Sequence, residues 1–185
     1  MNKAWKKTKI KKHLIVIPLA VLSVTSLLNG CAASSAEDVA KDAAQAYIDG
    51  NASAYSDLLA PGYVDYMIGS GGWYDTVEEF QEDVIQDDID ELKDKFIDRC
   101  GENYSVAVTV TSVEPCEDEE TLIKVQKELI KDYNYKEGDV TSVTQVEVKL
   151  RCTGNDTGGD IYHTYYCVKE NGNWYIHRPD IDALS

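Results

Sequence analysis

Residues 161–177 read Ile-Tyr-His-Thr-Tyr-Tyr-Cys-Val-Lys-Glu-Asn-Gly-Asn-Trp-Tyr-Ile-His. Asn171-Gly172 is the strongest two-residue hairpin signal, because a type I′ turn needs positive φ at both central positions and this pair adopts it at least cost. The flanks are aromatic and β-branched, so strands are expected from Ile161 to Val168 and from Asn173 to His177. Pairing Glu170 with Asn173 places Cys167 opposite Ile176. Trp174 and Ile176 then share a face with His163, Tyr165 and Cys167, and His177, two residues beyond the outward Tyr175, is expected to point outward.

Upstream of the hairpin, Thr144, Val146, Val148, Leu150 and Cys152 alternate with Gln145, Glu147, Lys149 and Arg151, which predicts a strand with one wet face. Thr153 to Gly159 is the turn after it. From Tyr104 to Val113, Val106, Val108 and Val110 alternate with Ala107, Thr109 and Thr111, a further strand. Between these two, Glu117-Asp118-Glu119-Glu120 places negative charge at the start of a helix whose buried stripe is Leu122, Val125, Leu129 and Tyr133.

Before the first strand the periodicity is helical. Ser35 with Asp38 can cap a helix that presents Val39, Ala43, Ala44, Tyr47 and Ile48 on one side and ends near Gly50. Asn51 can cap a second, short helix that Pro61 would stop. Gly62 to Gly72 is aromatic and glycine-rich and is expected to be a loop. Thr76-Val77-Glu78-Glu79 is a capping box for a long helix with Val77, Phe80, Val84, Ile89, Leu92 and Phe96 as its core stripe. The order helix-helix-helix-strand-helix-strand-strand-strand predicts an α+β domain, an antiparallel sheet of about four strands covered by helices.

The N-terminal 30 residues differ from all of this. Six lysines between Lys3 and Lys12 precede an apolar run from Leu14 to Leu28. That run is too short to span a bilayer, which takes roughly 20 residues, and reads as the h-region of a signal peptide. Leu28-Asn29-Gly30-Cys31 resembles the lipobox of bacterial lipoproteins, which implies that residues 1–30 are removed and Cys31 is acylated. The expected product is lipid-anchored at the extracytoplasmic face of the cell membrane, with residues 31–36 as a tether. Its two or three acyl chains would hold it where one chain would not. Processing removes 6 of the 18 basic residues and none of the 33 acidic ones, leaving 12 against 33 and taking the net charge from −15 to −21. Such a field repels phosphate backbones, which excludes nucleic acid as a partner.

Four cysteines remain: Cys100, Cys116, Cys152 and Cys167. They permit two disulfides in three connectivities, or free buried thiols. None of their spacings fits zinc. Asp49-Gly50-Asn51-Ala52-Ser53 lacks the Gly and Glu that a calcium loop needs at its sixth and twelfth positions. Gly69-Ser70-Gly71-Gly72 lacks the Lys-Ser/Thr of a phosphate loop. No metal or cofactor is expected.

The junction Tyr47-Ile48-Asp49-Gly50-Asn51 and the hairpin from Val168 to Ile176 resemble the nuclear-transport-factor-2-like domains of lipoproteins from Gram-positive bacteria. The resemblance implies one such domain over residues 37–180, with 181–185 as a tail, and a curled sheet wrapping the helices into a cone-shaped pocket. Tyr63, Tyr66, Trp73, Tyr74, His163 and Tyr165 are the candidates to line it. The family includes ketosteroid isomerase, but its Asp and Tyr set does not map onto this sequence residue by residue. The expectation is therefore a non-enzymatic domain binding a small molecule, a peptide or itself. The alternative is a small isomerase- or hydrolase-like enzyme using a pocket His and Tyr.

Overall fold

The Asn171-Gly172 turn has φ of 49° and 88°, as a type I′ turn requires. It joins β3 (Gly159–Glu170) to β4 (Asn173–Ile176) with Glu170 opposite Asn173 and Cys167 opposite Ile176. In the computed structural model, residues 35–69, 72–116, 124, 127, 138–155 and 158–178 are described. With β1 (Ser105–Pro115) and β2 (Val140–Thr153) these strands form one antiparallel sheet in the order β1-β2-β3-β4, and the sheet does not close. The fold is α+β, as expected. The segment 1–34, with Cys31, lies outside the described residues. So does the helix expected after β1, apart from Lys124 and Lys127, which are helical and exposed.

Alternation along β2 agrees with the sequence pattern: Thr144, Val146, Val148, Leu150 and Cys152 are buried, and the residues between them are half-buried or exposed. On β1 a bulge at Thr111 shifts the register between Val110 and Ser112. Val113, not Ser112, therefore joins the face of Val110 and sits opposite Val146. At the hairpin end the other face is not wet. Val143 and its partner Val168 are buried there, while Lys149 and Tyr162 at the far end are half-buried and exposed.

Helix α1 (Ala36–Ile48) lies across all four strands. Ser35 caps it, its hydroxyl accepting from the Asp38 amide at 3.1 Å. Val39, Ala40, Ala43 and Ala44 are within 1 % of fully buried, and their small size lets the helix axis come close to the sheet. The helix ends in a Schellman motif: Asn51 N–H donates to Ala46 O and Gly50 N–H to Tyr47 O, with Gly50 at φ 69°. Asn51 caps α2 (Ala52–Ser56), accepting from the Ala54 amide at 3.0 Å.

Pro61 does not simply end a helix. It opens α3 (Pro61–Ile68), where a loop was expected. Proline suits the first helical position, since its missing N–H would have no partner there and its φ is already helical. The linker between α2 and α3 pairs with the free edge of β4, Ile176 N–H donating to Leu58 O and Ala60 N–H to Ile176 O, both at 2.8 Å. That linker covers a strand edge which would otherwise be open to pairing.

The long helix is α4 (Val77–Phe80), a π-helical segment (Gln81–Gln86) and α5 (Asp87–Cys100), end to end. Thr76 Oγ1 accepts from the Glu79 amide at 3.1 Å, but the Glu79 carboxylate reaches back to the Asp75 amide at 2.9 Å, not to that of Thr76. The π segment changes the stripe. A continuous 3.6-residue period would bury Val84 after Phe80, whereas the observed helix buries Ile85 and leaves Val84 half-buried. From Ile85 onward Ile89, Leu92, Phe96 and Cys100 return to α spacing, and Val77 at the start is exposed. Cys100 forms a disulfide with Cys152, fastening the end of α5 to β2, and Cys116 and Cys167 are free thiols.

Candidate functional site

The six aromatic and histidine residues expected to line one pocket fall into separate places. Tyr63 is buried edge-on to Phe80 at 6.2 Å, and the half-buried Tyr74 tilts against the same ring at 5.6 Å. Tyr66 and Trp73 are 42 % and 78 % exposed, so neither lines an enclosed space. His163 and Tyr165 are buried on β3 with their rings in T-shaped contact at 4.2 Å. His177 is also buried, contrary to expectation. β4 ends at Ile176, so strand parity no longer applies, and the His177 amide donates to Tyr166 O at 2.8 Å.

Inside the domain, tyrosines converge from different elements. Tyr47 on α1 and Tyr55 on α2 meet edge to face at 4.4 Å. The hydroxyls of Tyr47, Tyr55 and Tyr165 are all held above the ordinary phenol range, mainly because burial disfavours the phenolate. Tyr47 donates to the Asp88 carboxylate at 3.4 Å, long for an O–H···O bond. The Asp88 carboxyl is pushed up to about 6, first by burial and then by Glu91 and Asp87, against the opposing effects of Tyr47 and Lys95. Burial holds the His177 imidazole down at about 4, with Arg178 adding to the effect. Cys167 is pushed up to about 12 by burial, and its thiol points at Ala36 O at 3.5 Å.

A cavity of about 340 Å³ opens beside this cluster, between the C-terminal end of α1 and the face of α5. Its floor is Ile89, Leu92 and Phe96, all buried, with Tyr47 on one wall. The half-buried Tyr104 forms another wall and packs on Phe96 at 5.6 Å. Around the mouth are the exposed Asp49, Gly50, Asp90 and Lys93, and the half-buried Gln86. Both mouth carboxylates are held by an amide one helical turn earlier: Gln45 Nε2 donates to Asp49 at 2.9 Å and Gln86 Nε2 to Asp90 at 3.1 Å. Gln86 is the last residue of the π segment. The extra residue in that turn rotates α5 about its axis, so Ile89 and Leu92 face the end of α1.

None of the six expected pocket residues lines this cavity. The sequence did carry a signal for it. Tyr47-Ile48-Asp49-Gly50 is the junction between the first two helices, and Gln86 and Asp90 are one turn apart on the long helix. No protein family, curated protein or solved structure matches the chain. Among the described residues no group of three His, Cys, Asp or Glu side chains could hold a metal ion. Among the same residues no helix is long and apolar enough to cross a membrane.

Proposed function

We propose that this protein is a lipoprotein anchored through Cys31 at the extracytoplasmic face of a bacterial cell membrane, and that its nuclear-transport-factor-2-like domain binds a small ligand without transforming it. The observation that carries the binding reading is the cavity of about 340 Å³ between α1 and α5, which is at the lower end of the size range of ligand sites and sets Ile89, Leu92 and Phe96 behind a polar mouth. The Leu28-Asn29-Gly30-Cys31 lipobox and the basic n-region support the anchor. The test is to extract the protein from membranes in neutral detergent and measure by mass spectrometry the small molecules released on denaturation. A molecule released from the native protein and absent from a Leu92→Trp variant, whose indole fills the cavity, is the expected result. Release of the same molecule from both overturns the assignment of the site.

One observation favours an enzyme as the second reading. Tyr47, on the cavity wall, donates a hydrogen bond to Asp88, whose carboxyl is pushed up to about 6, within the range of a general acid near neutral pH. Turnover abolished by Asp88→Asn without loss of binding would favour it over simple binding.

A further inference from the structure

We infer that the cavity between α1 and α5 takes a small amphipathic cation, an ammonium group carried on an aromatic or aliphatic body; this rests on the reading of that cavity as a binding site. Two features of the mouth act in the same direction. Asp49 and Asp90 place two carboxylates there, each accepting a hydrogen bond from a glutamine amide. The C-terminal end of α1 points at the same space, and its last turn contains no basic residue. The partial negative charge of a helix C-terminus is therefore not offset by a side chain of that helix. Among the described residues, Lys93 is the one basic side chain lining the cavity. It is exposed, and its long stem can carry the ammonium out into water.

Beneath the mouth the chemistry changes. The lining there is Ile89, Leu92 and Phe96 with Tyr47 and Tyr104 beside them, side chains that suit a hydrocarbon body better than a second polar group. An anion of the same shape meets two carboxylates and a helix C-terminus. A neutral analogue gains the floor and nothing at the mouth. The protein's own field, −21 after loss of residues 1–30, draws cations toward the site at low ionic strength.

The experiment titrates the full chain, in neutral detergent and corrected against detergent alone, with 2-phenylethylammonium, 2-phenylethanol and phenylacetate. NMR shifts of Ile89 and Leu92 methyl groups report occupancy. The amine is expected to bind most tightly, the alcohol more weakly and the acid not at all. Asp49→Asn with Asp90→Asn should weaken the amine about three- to tenfold, as two solvent-exposed charges would, and leave the alcohol unchanged. Raising the salt should reproduce that loss in the unaltered protein, which needs no variant to fold. If the alcohol or the acid binds at the same methyl groups as tightly as the amine, the cation inference is wrong while the binding site stands. If none of the three shifts those methyl groups, both the inference and the site it rests on are wrong.

Discussion

Replacing Ile85 and Val84 one at a time tests how the π segment sets the core. A continuous α-helix through Phe80 would turn Val84 inward and Ile85 away, whereas the observed helix leaves Ile85 with 0 % exposure and Val84 half-buried. Ile85→Ala removes three buried carbons, about 2.4 kcal/mol at about 0.8 kcal/mol per methylene. The cavity left behind brings the loss to about 3–4 kcal/mol. Val84→Ala removes two half-exposed carbons, about 0.8 kcal/mol by the same arithmetic. Alanine's better helix propensity offsets about half a kcal/mol of that. Urea unfolding followed by far-UV circular dichroism should therefore separate the variants by about 3–4 kcal/mol at unchanged m-value. Equal losses, or a greater loss for Val84→Ala, would refute the π register and with it the floor of the cavity.

Two groups whose proton affinity changes on folding should be visible in the pH dependence of stability, with opposite signs. Asp88 moves from 3.8 to about 6 on folding, so the native state holds more protons in that window and this group's contribution falls as pH rises from about 4 to 6. His177 moves from 6.5 to about 4, so the unfolded state holds more protons and its contribution rises over about pH 4–6.5. Relative to the unaltered protein, the melting temperature of Asp88→Asn should thus climb across that window and that of His177→Gln should fall; parallel slopes would contradict both assignments. The Cys100–Cys152 bridge spans 52 residues, which corresponds to about 4 kcal/mol of loop-closure entropy. Cys100→Ser with Cys152→Ser should lower stability by up to that amount in a urea titration, and a loss under about 1 kcal/mol would argue against the bond. Under native conditions a thiol reagent should modify the half-buried Cys116 promptly and Cys167, at 0 % exposure, only on unfolding. Prompt reaction of both would place Cys167 wrongly.

The sheet was legible because its register depends on local chemistry. Asn171-Gly172 fixed the turn, and the alternation on β2 and β3 then fixed which side chains faced inward. The caps at Ser35, Asn51 and Thr76 were legible for the same reason, since each bond is made within a few residues. The features that stayed hidden are decided by distant contacts. Pro61 can close one helix or open the next, and the pairing of Leu58–Ala60 with Ile176 settles which. The π turn cannot be read from a 3.6-residue period, because Val84 and Ile85 are equally apolar and only packing chooses between them. His177 was misplaced by carrying strand parity one residue past the end of β4. The cavity was missed because it joins the end of α1 to a face of α5 and to Tyr104, residues 47–50, 86–96 and 104. Aromatic content points instead to Tyr66 and Trp73, which are exposed.

Cys31 is the residue on which the proposed function depends most directly, since the proposed anchor would set the compartment in which the cavity could meet a ligand. Intact-mass and N-terminal peptide spectrometry of the protein extracted from its native membrane decides the matter. The predicted result is a chain beginning at Cys31, lacking residues 1–30 and carrying a diacylglyceryl thioether on its sulfur. A chain that retains residues 1–30, or one that begins at Cys31 with an unmodified thiol in the soluble fraction, would contradict it.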